Sequence, residues 1–255
     1  MNKFILVSYG NEGSTAMLHT LNNFKNLKSF YNNYGMEPFD HYNFDIKPTE
    51  DEANKMIDYF FDNNINSKQF YDYYNSFFVG TNKTEYNEPK SNFNFFKYRM
   101  DINDGLINII TKYNLKCFII YRRNIMNFSL SRYFGNCQFK KSYKVKKVVV
   151  DVEKFKYQIG LSHFFINKKK NISDVLLKNN IKTIDIYYEN FCNNPNVFFY
   201  NILKNINYDE INKNYIDEVL KKKIVLKKIH DEDISTYVIN HKEIISTYNN
   251  DNSCR

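Results

Sequence analysis

Two clusters of residues in this chain have the types and spacing for anion chemistry. The first is an apolar run, Lys3 to Tyr9 (KFILVSY), that leads into Gly10, Asn11, Glu12, Gly13, Ser14 and Thr15, followed by a helical pattern. A strand, a glycine-bearing loop and a helix start in that order form a ready anion site. Backbone N–H groups point outward at a helix N-terminus, and the helix dipole favours negative charge there. Gly10 and Gly13 let the backbone approach a phosphate closely, and Ser14 and Thr15 add hydroxyl donors. An ordinary strand-to-helix turn with a hydroxyl cap is the plainer alternative. The lysine of the GxxxxGK[ST] loop is missing, which removes most of the weight from a kinase or ATPase reading.

The second cluster is KCFIIYRRNIMNFSLSRYF. A buried strand ends in Arg122, Arg123 and Asn124, and Ser131 lies eight residues beyond Arg123 on a predicted helix. Eight residues are about two helical turns, so the hydroxyl returns to roughly the same side. An Arg fork at the carboxyl end of a parallel strand suits a phosphate, although a solvated arginine pair is the plainer alternative.

The elements around these clusters set the fold class. Strands are predicted over 3–9, 93–99, 116–121 and 182–187. Helices are predicted over 14–26, 49–79, 104–114, 124–135, 151–170, 172–180, 195–206, 209–222 and 238–248. Strands alternating with helices predict an α/β fold: a P-loop-like parallel sheet of about four to five strands, flanked by helices on both faces. Residues 1–255 read as a single domain, with 28–92 as a loop and helical insertion. The chain is 255 residues long, 43% hydrophobic and 25% charged, so it can bury a full core and is not globally disordered. Its formal charge of +8 points to an anionic partner. No apolar stretch reaches the ~20 residues of a membrane span. Four dispersed cysteines with no CxxC pair argue against a zinc site, and a reducing, cytoplasmic setting is expected.

Taken together, the two motifs resemble the sulfotransferases that use 3′-phosphoadenosine 5′-phosphosulfate (PAPS), of the bacterial and carbohydrate type. Gly13-Ser14-Thr15 is similar to the end of that family's 5′-phosphosulfate loop. Arg123, Asn124 and Ser131 are similar to its 3′-phosphate motif. Gly35-Met36-Glu37-Pro38-Phe39 resembles its Glu-Pro-Phe/Leu segment. Tyr187-Tyr188-Glu189-Asn190-Phe191 followed by Asn194-Pro195 resembles its Tyr-Glu-Asp-Leu … Asn/Asp-Pro segment, and the tail at 224–248 resembles its C-terminal helix.

The resemblance implies a sulfuryl transfer from PAPS, as co-substrate, to a hydroxyl or amine acceptor such as a carbohydrate, with no metal. It implies Gly10, Asn11, Glu12, Gly13, Ser14, Thr15, Arg123 and Ser131 as nucleotide-binding residues, Tyr188 beside the adenine, and Glu37 as the base. The family's loop carries Lys or Arg where this chain has Asn11 and Glu12. That cation stabilises charge on the bridging oxygen, so Lys97, Arg99 or Arg122 must substitute for it. Otherwise the chain is a sulfotransferase-fold nucleotide binder with weak or no turnover. A nucleic-acid module is disfavoured, because the Tyr and Phe residues lie in predicted core elements and no RNP1 pattern occurs.

Other residues read as structural. FYDYYNSFF at 70–78 reads as packing, with an acceptor floor as the alternative. Lys168-Lys169-Lys170 and Lys221-Lys222-Lys223 read as solvated helix faces, with guidance of a polyanionic acceptor as the alternative. His19 shares the Thr15 helix face and reads as structural, with a place at the site as the alternative; His163 reads as core or rim, no partner is named for His41, and Cys117 reads as a buried strand residue.

Overall fold

The computed structural model describes residues 3–9, 13–30, 44–79, 89–99, 102–136, 147–209, 211–222 and 233–253. Four strands, β1 (Phe4–Val7), β2 (Phe95–Tyr98), β3 (Lys116–Tyr121) and β4 (Thr183–Tyr187), form one parallel sheet in the order β2-β1-β3-β4. The register aligns Val7 with Tyr98 and Ile119, and Tyr121 with Tyr187. All four carboxyl ends therefore lie on one edge. From β1 the chain moves outward to β2, and from β3 it moves the other way to β4. The crevice between β1 and β3 is thus the switch point, where open α/β sheets take ligands.

Alternation along the strands divides the core. Ile5, Val7, Phe96, Tyr98, Cys117 and Ile119 face a cluster with Phe60, Phe61, Phe70 and Tyr74. Phe4, Leu6, Phe95, Phe118 and Ile120 face the opposite cluster with Met17, Leu18, Phe199 and Leu203. Both faces are covered, which explains why the strands read as continuous apolar runs. The first face is roofed by α2 (Glu50–Phe61), α3 (Ser67–Asn75) and α4 (Asp104–Lys112). The second carries α1 (Ser14–Leu21), α8 (Pro195–Asn205) and α9 (Lys213–Lys222). A third cluster joins α5 (Ile125–Asn136), the first half of α6 (Val152–Lys178) and α10 (His241–Ser253). A short helix, α7 (Tyr188–Asn193), follows β4 directly.

The single helical stretch expected at 49–79 is two helices. Asn66 starts the second with a capping box: its side chain accepts from Gln69 N, and the Gln69 side chain accepts from Asn66 N. The two helices expected at 151–170 and 172–180 are one of 27 residues. Its buried stripe of Ser162, Lys169, Ile172 and Leu176 runs past Asn171 without interruption. The aromatic run at 70–78 is packing: Phe70, Tyr71, Tyr74, Phe77 and Phe78 are all buried.

Asparagine does the work of glycine at several helix ends. Asn114, Asn180 and Asn207 follow α4, α6 and α8 at positive φ, the left-handed conformation that closes a helix. Lys90 closes α2 differently. Its ammonium donates to the carbonyls of Tyr59, Phe60 and Asp62. Burial, reinforced by Lys3, lowers its pKa to about 8. Among the described residues, no helix is long and apolar enough to cross a membrane.

Candidate functional site

The end of the β1 loop meets α1 at Gly13, which sits at φ 77°, in the left-handed region. Gly13 is the N-cap of α1 and makes no side-chain capping bond there. Helices α2, α3, α4, α6 and α8 are instead capped by the side chains of Thr49, Asn66, Asn103, Asp151 and Asn194. Among the described residues no side chain caps the first turn of α1, whose amide donors and positive dipole end suit an anion.

Two groups converge on that junction. Lys97 comes from β2 and is buried, 3% exposed, with Nζ 3.3 Å from Ser14 Oγ. Tyr188 comes from the end of β4, and its ring lies so close to Gly13 that a Cβ there would collide with it. Burial, with a hydrogen bond to Cys192, holds the Tyr188 phenol above its ordinary pKa, so it stays protonated. Gly13→Ala combines a left-handed φ with that collision. It is expected to destabilise the fold by about 1–3 kcal/mol and to weaken any anion held by the loop. Thermal unfolding together with a nucleotide titration measures both effects.

Across the crevice, two consecutive arginines follow β3, and two consecutive tyrosines span the end of β4 and the start of α7. The Arg122 guanidinium lies 4.3 Å from the Tyr188 ring centroid, and that of Arg123 lies 4.1 Å from Tyr187. Tyr188 packs on the α1-side cluster and Tyr187 on the opposite one, so Arg122 lies toward the α1 side and Arg123 toward the other. Glu189 fixes this turn: one carboxylate oxygen accepts from Arg123 N at 3.0 Å and Asn124 N at 3.2 Å. Arg123 itself is exposed, with Nη1 3.5 Å from Asn190 Oδ1.

The residues expected at the site are distributed as follows. Gly13, Ser14, Lys97 and Tyr188 meet at the start of α1. Thr15 is exposed on the first turn of that helix, and Arg99 is exposed just beyond β2. Arg123 stands at the carboxyl end of β3, with Ser131 half-buried on α5. Gly10, Asn11, Glu12 and Glu37 lie outside the described residues.

Glu189, quoted above in the tyrosine segment, anchors the arginine turn, and three basic residues nearby were not expected there from the sequence. Lys169, expected on a solvated face, is fully buried and donates to Ile120 O at 2.6 Å. Its place seven residues after Ser162 and seven before Leu176, on the apolar stripe of α6, was the available signal. Arg132, directly after Ser131, is 8% exposed, with Nη1 3.4 Å from Tyr9 O. Lys168 sits over the Tyr9 ring at 5.1 Å. The carboxyl edge of the sheet thus gathers Lys97, Arg99, Arg122, Arg123, Arg132, Lys168 and Lys169, and their fields add. No protein-family model and no curated protein matches the chain.

Proposed function

We propose that the chain binds PAPS across the β1–β3 crevice and transfers its sulfuryl group to a hydroxyl or amine acceptor, with a carbohydrate among the candidates. The observation that carries this reading is Lys97. It is a buried ammonium at the Ser14 hydroxyl, in a chain whose loop lacks the family's own cation.

The residues fit such a ligand. The uncapped first turn of α1 and Ser14 suit the 5′-phosphosulfate. The exposed Arg123 fork, with Ser131 on the following helix, suits the 3′-phosphate. Tyr188 and Tyr187 offer aromatic surface at the end of β4.

In the transfer, the acceptor oxygen or nitrogen attacks sulfur as the bond from sulfur to the bridging oxygen breaks. Adenosine 3′,5′-bisphosphate leaves. The acceptor's proton passes to a base, for which Glu37 is the proposed residue. Lys97 stabilises the charge that develops on the departing 5′-phosphate. That is the electrostatic contribution expected to dominate such a reaction.

A second reading, favoured by Asn11 and Glu12, is a nucleotide binder without turnover. Calorimetric titration with adenosine 3′,5′-bisphosphate, with AMP as control, tests the donor site. Binding that depends on the 3′-phosphate supports both readings, and labelled PAPS offered with an acceptor panel then separates them. If neither nucleotide binds, both readings fall.

A further inference from the structure

We propose that a cavity at the amino edge of the sheet binds a carbohydrate, separately from the crevice at the carboxyl edge and independently of the donor-site reading.

The cavity measures about 700 Å³ and lies between the segment that leaves α1 and the turn that enters β2. Ligand sites commonly measure ~300–1,000 Å³. Asn22, Asn26 and Lys28 line it from the first segment, and Ser91, Asn92 and Asn94 from the second. Buried Phe24 and Leu27 supply the apolar part of the lining.

Its walls are fixed before any ligand arrives. Asn22 Nδ2 donates to Ser29 Oγ at 2.8 Å, and Asn22 Oδ1 accepts from Ser29 N at 2.7 Å. Asn94 N donates to Lys28 O, and Asn94 Oδ1 accepts from Lys28 N. Lys25, between them, is pinned by two tyrosines: the Tyr208 hydroxyl donates to Lys25 O, and Lys25 N donates to the Tyr215 hydroxyl. Surface connections are ordinarily mobile. One held at both ends and in the middle has already lost the entropy that binding would otherwise cost.

The lining selects the ligand. Asn26, Ser91 and Asn92 are exposed, and Lys28 engages only the oxygen of the Asn94 amide. Amides and hydroxyls donate and accept side by side, as the adjacent hydroxyls of a sugar do. None of the described residues lining the cavity is a carboxylate, which disfavours a metal ion. Lys28 is the single charged residue among them, and the cavity lies at the carboxyl end of α1, where the dipole disfavours an anion. Asparagine is common throughout the chain. The inference rests on these amides being fixed around one cavity, not on their number.

Asn26→Gly combined with Asn92→Ala removes two of the amides. Glycine keeps the left-handed backbone that Asn26 adopts at φ 61°, and Asn92 is exposed, so the double variant should unfold within a degree or two of the wild type. Two-dimensional NMR titration of the full chain with glucose, galactose, N-acetylglucosamine and lactose reads the binding, with triglycine and inorganic phosphate as controls. At least one sugar is expected to shift the signals of Asn26, Asn92 and Asn94. The double variant is expected to bind that sugar at least about fivefold more weakly, the worth of two neutral hydrogen bonds. A sugar that shifts only residues at the carboxyl edge occupies an acceptor site there, and overturns the inference. So does a titration in which no sugar shifts the cavity signals, or one in which the double variant binds as tightly as the wild type. Shifts caused by triglycine or phosphate but not by the sugars overturn it as well. None of these outcomes touches the donor site, which the nucleotide titration tests by itself.

Discussion

Arg123→Ala is expected to weaken adenosine 3′,5′-bisphosphate between about tenfold and a hundredfold, and to leave AMP within about twofold. The range follows from the ~1.5–3 kcal/mol of a hydrogen bond to a charged group. The selectivity follows from geometry. Arg123 falls on the side of the sheet away from Lys97 and Gly13, so it is not placed to hold the 5′ end. Its side chain is exposed and lies on the Tyr187 ring, so its loss should shift the unfolding temperature by only a degree or two. Arg123→Lys keeps the charge but loses the fork, and should fall between the two. Calorimetry on the three proteins decides the matter. If bisphosphate and AMP are weakened equally, Arg123 is not a 3′-phosphate ligand.

Which parts of this protein its sequence discloses has a physical basis. The four strands were legible because both faces of the sheet are covered, which leaves unbroken apolar runs between turn residues. The arginine turn and the start of α1 were legible because each follows a strong strand. The depth of a side chain was much less legible. Lys169 sits in a run of three lysines, and composition alone places such a run in water. Only the spacing of Ser162, Ile172 and Leu176 puts it inside. Arg132 was hidden for another reason: its partners Tyr9 and Phe165 are 123 and 33 residues away, and no local pattern encodes either contact. Lys97 was suspected from its place near the end of β2. Its partner Ser14 became visible only once β2 lay beside β1.

Lys97→Met should separate binding from chemistry. Methionine approximates the length of the lysine stem and suits a buried site, so the core around Phe95 and Leu6 should stay filled. The ammonium is lost. If Lys97 supplies the charge that the loop lacks, the transfer rate from PAPS should fall by about 10²–10³, the usual cost of removing one preorganised group that stabilises developing charge. The affinity for PAPS itself should fall less than tenfold, because the charge on the bridging oxygen is undeveloped until its bond to sulfur begins to break. A second substitution sharpens the test. Asn11→Lys returns a cation to the position where the resembled family carries one. In the Lys97→Met background it should recover part of the lost rate, since either cation can serve the same oxygen. Single-turnover measurements on the four proteins give the coupling between the two positions directly. Unchanged transfer in Lys97→Met would remove Lys97 from the chemistry. Equal losses in rate and affinity would make it a ground-state ligand only.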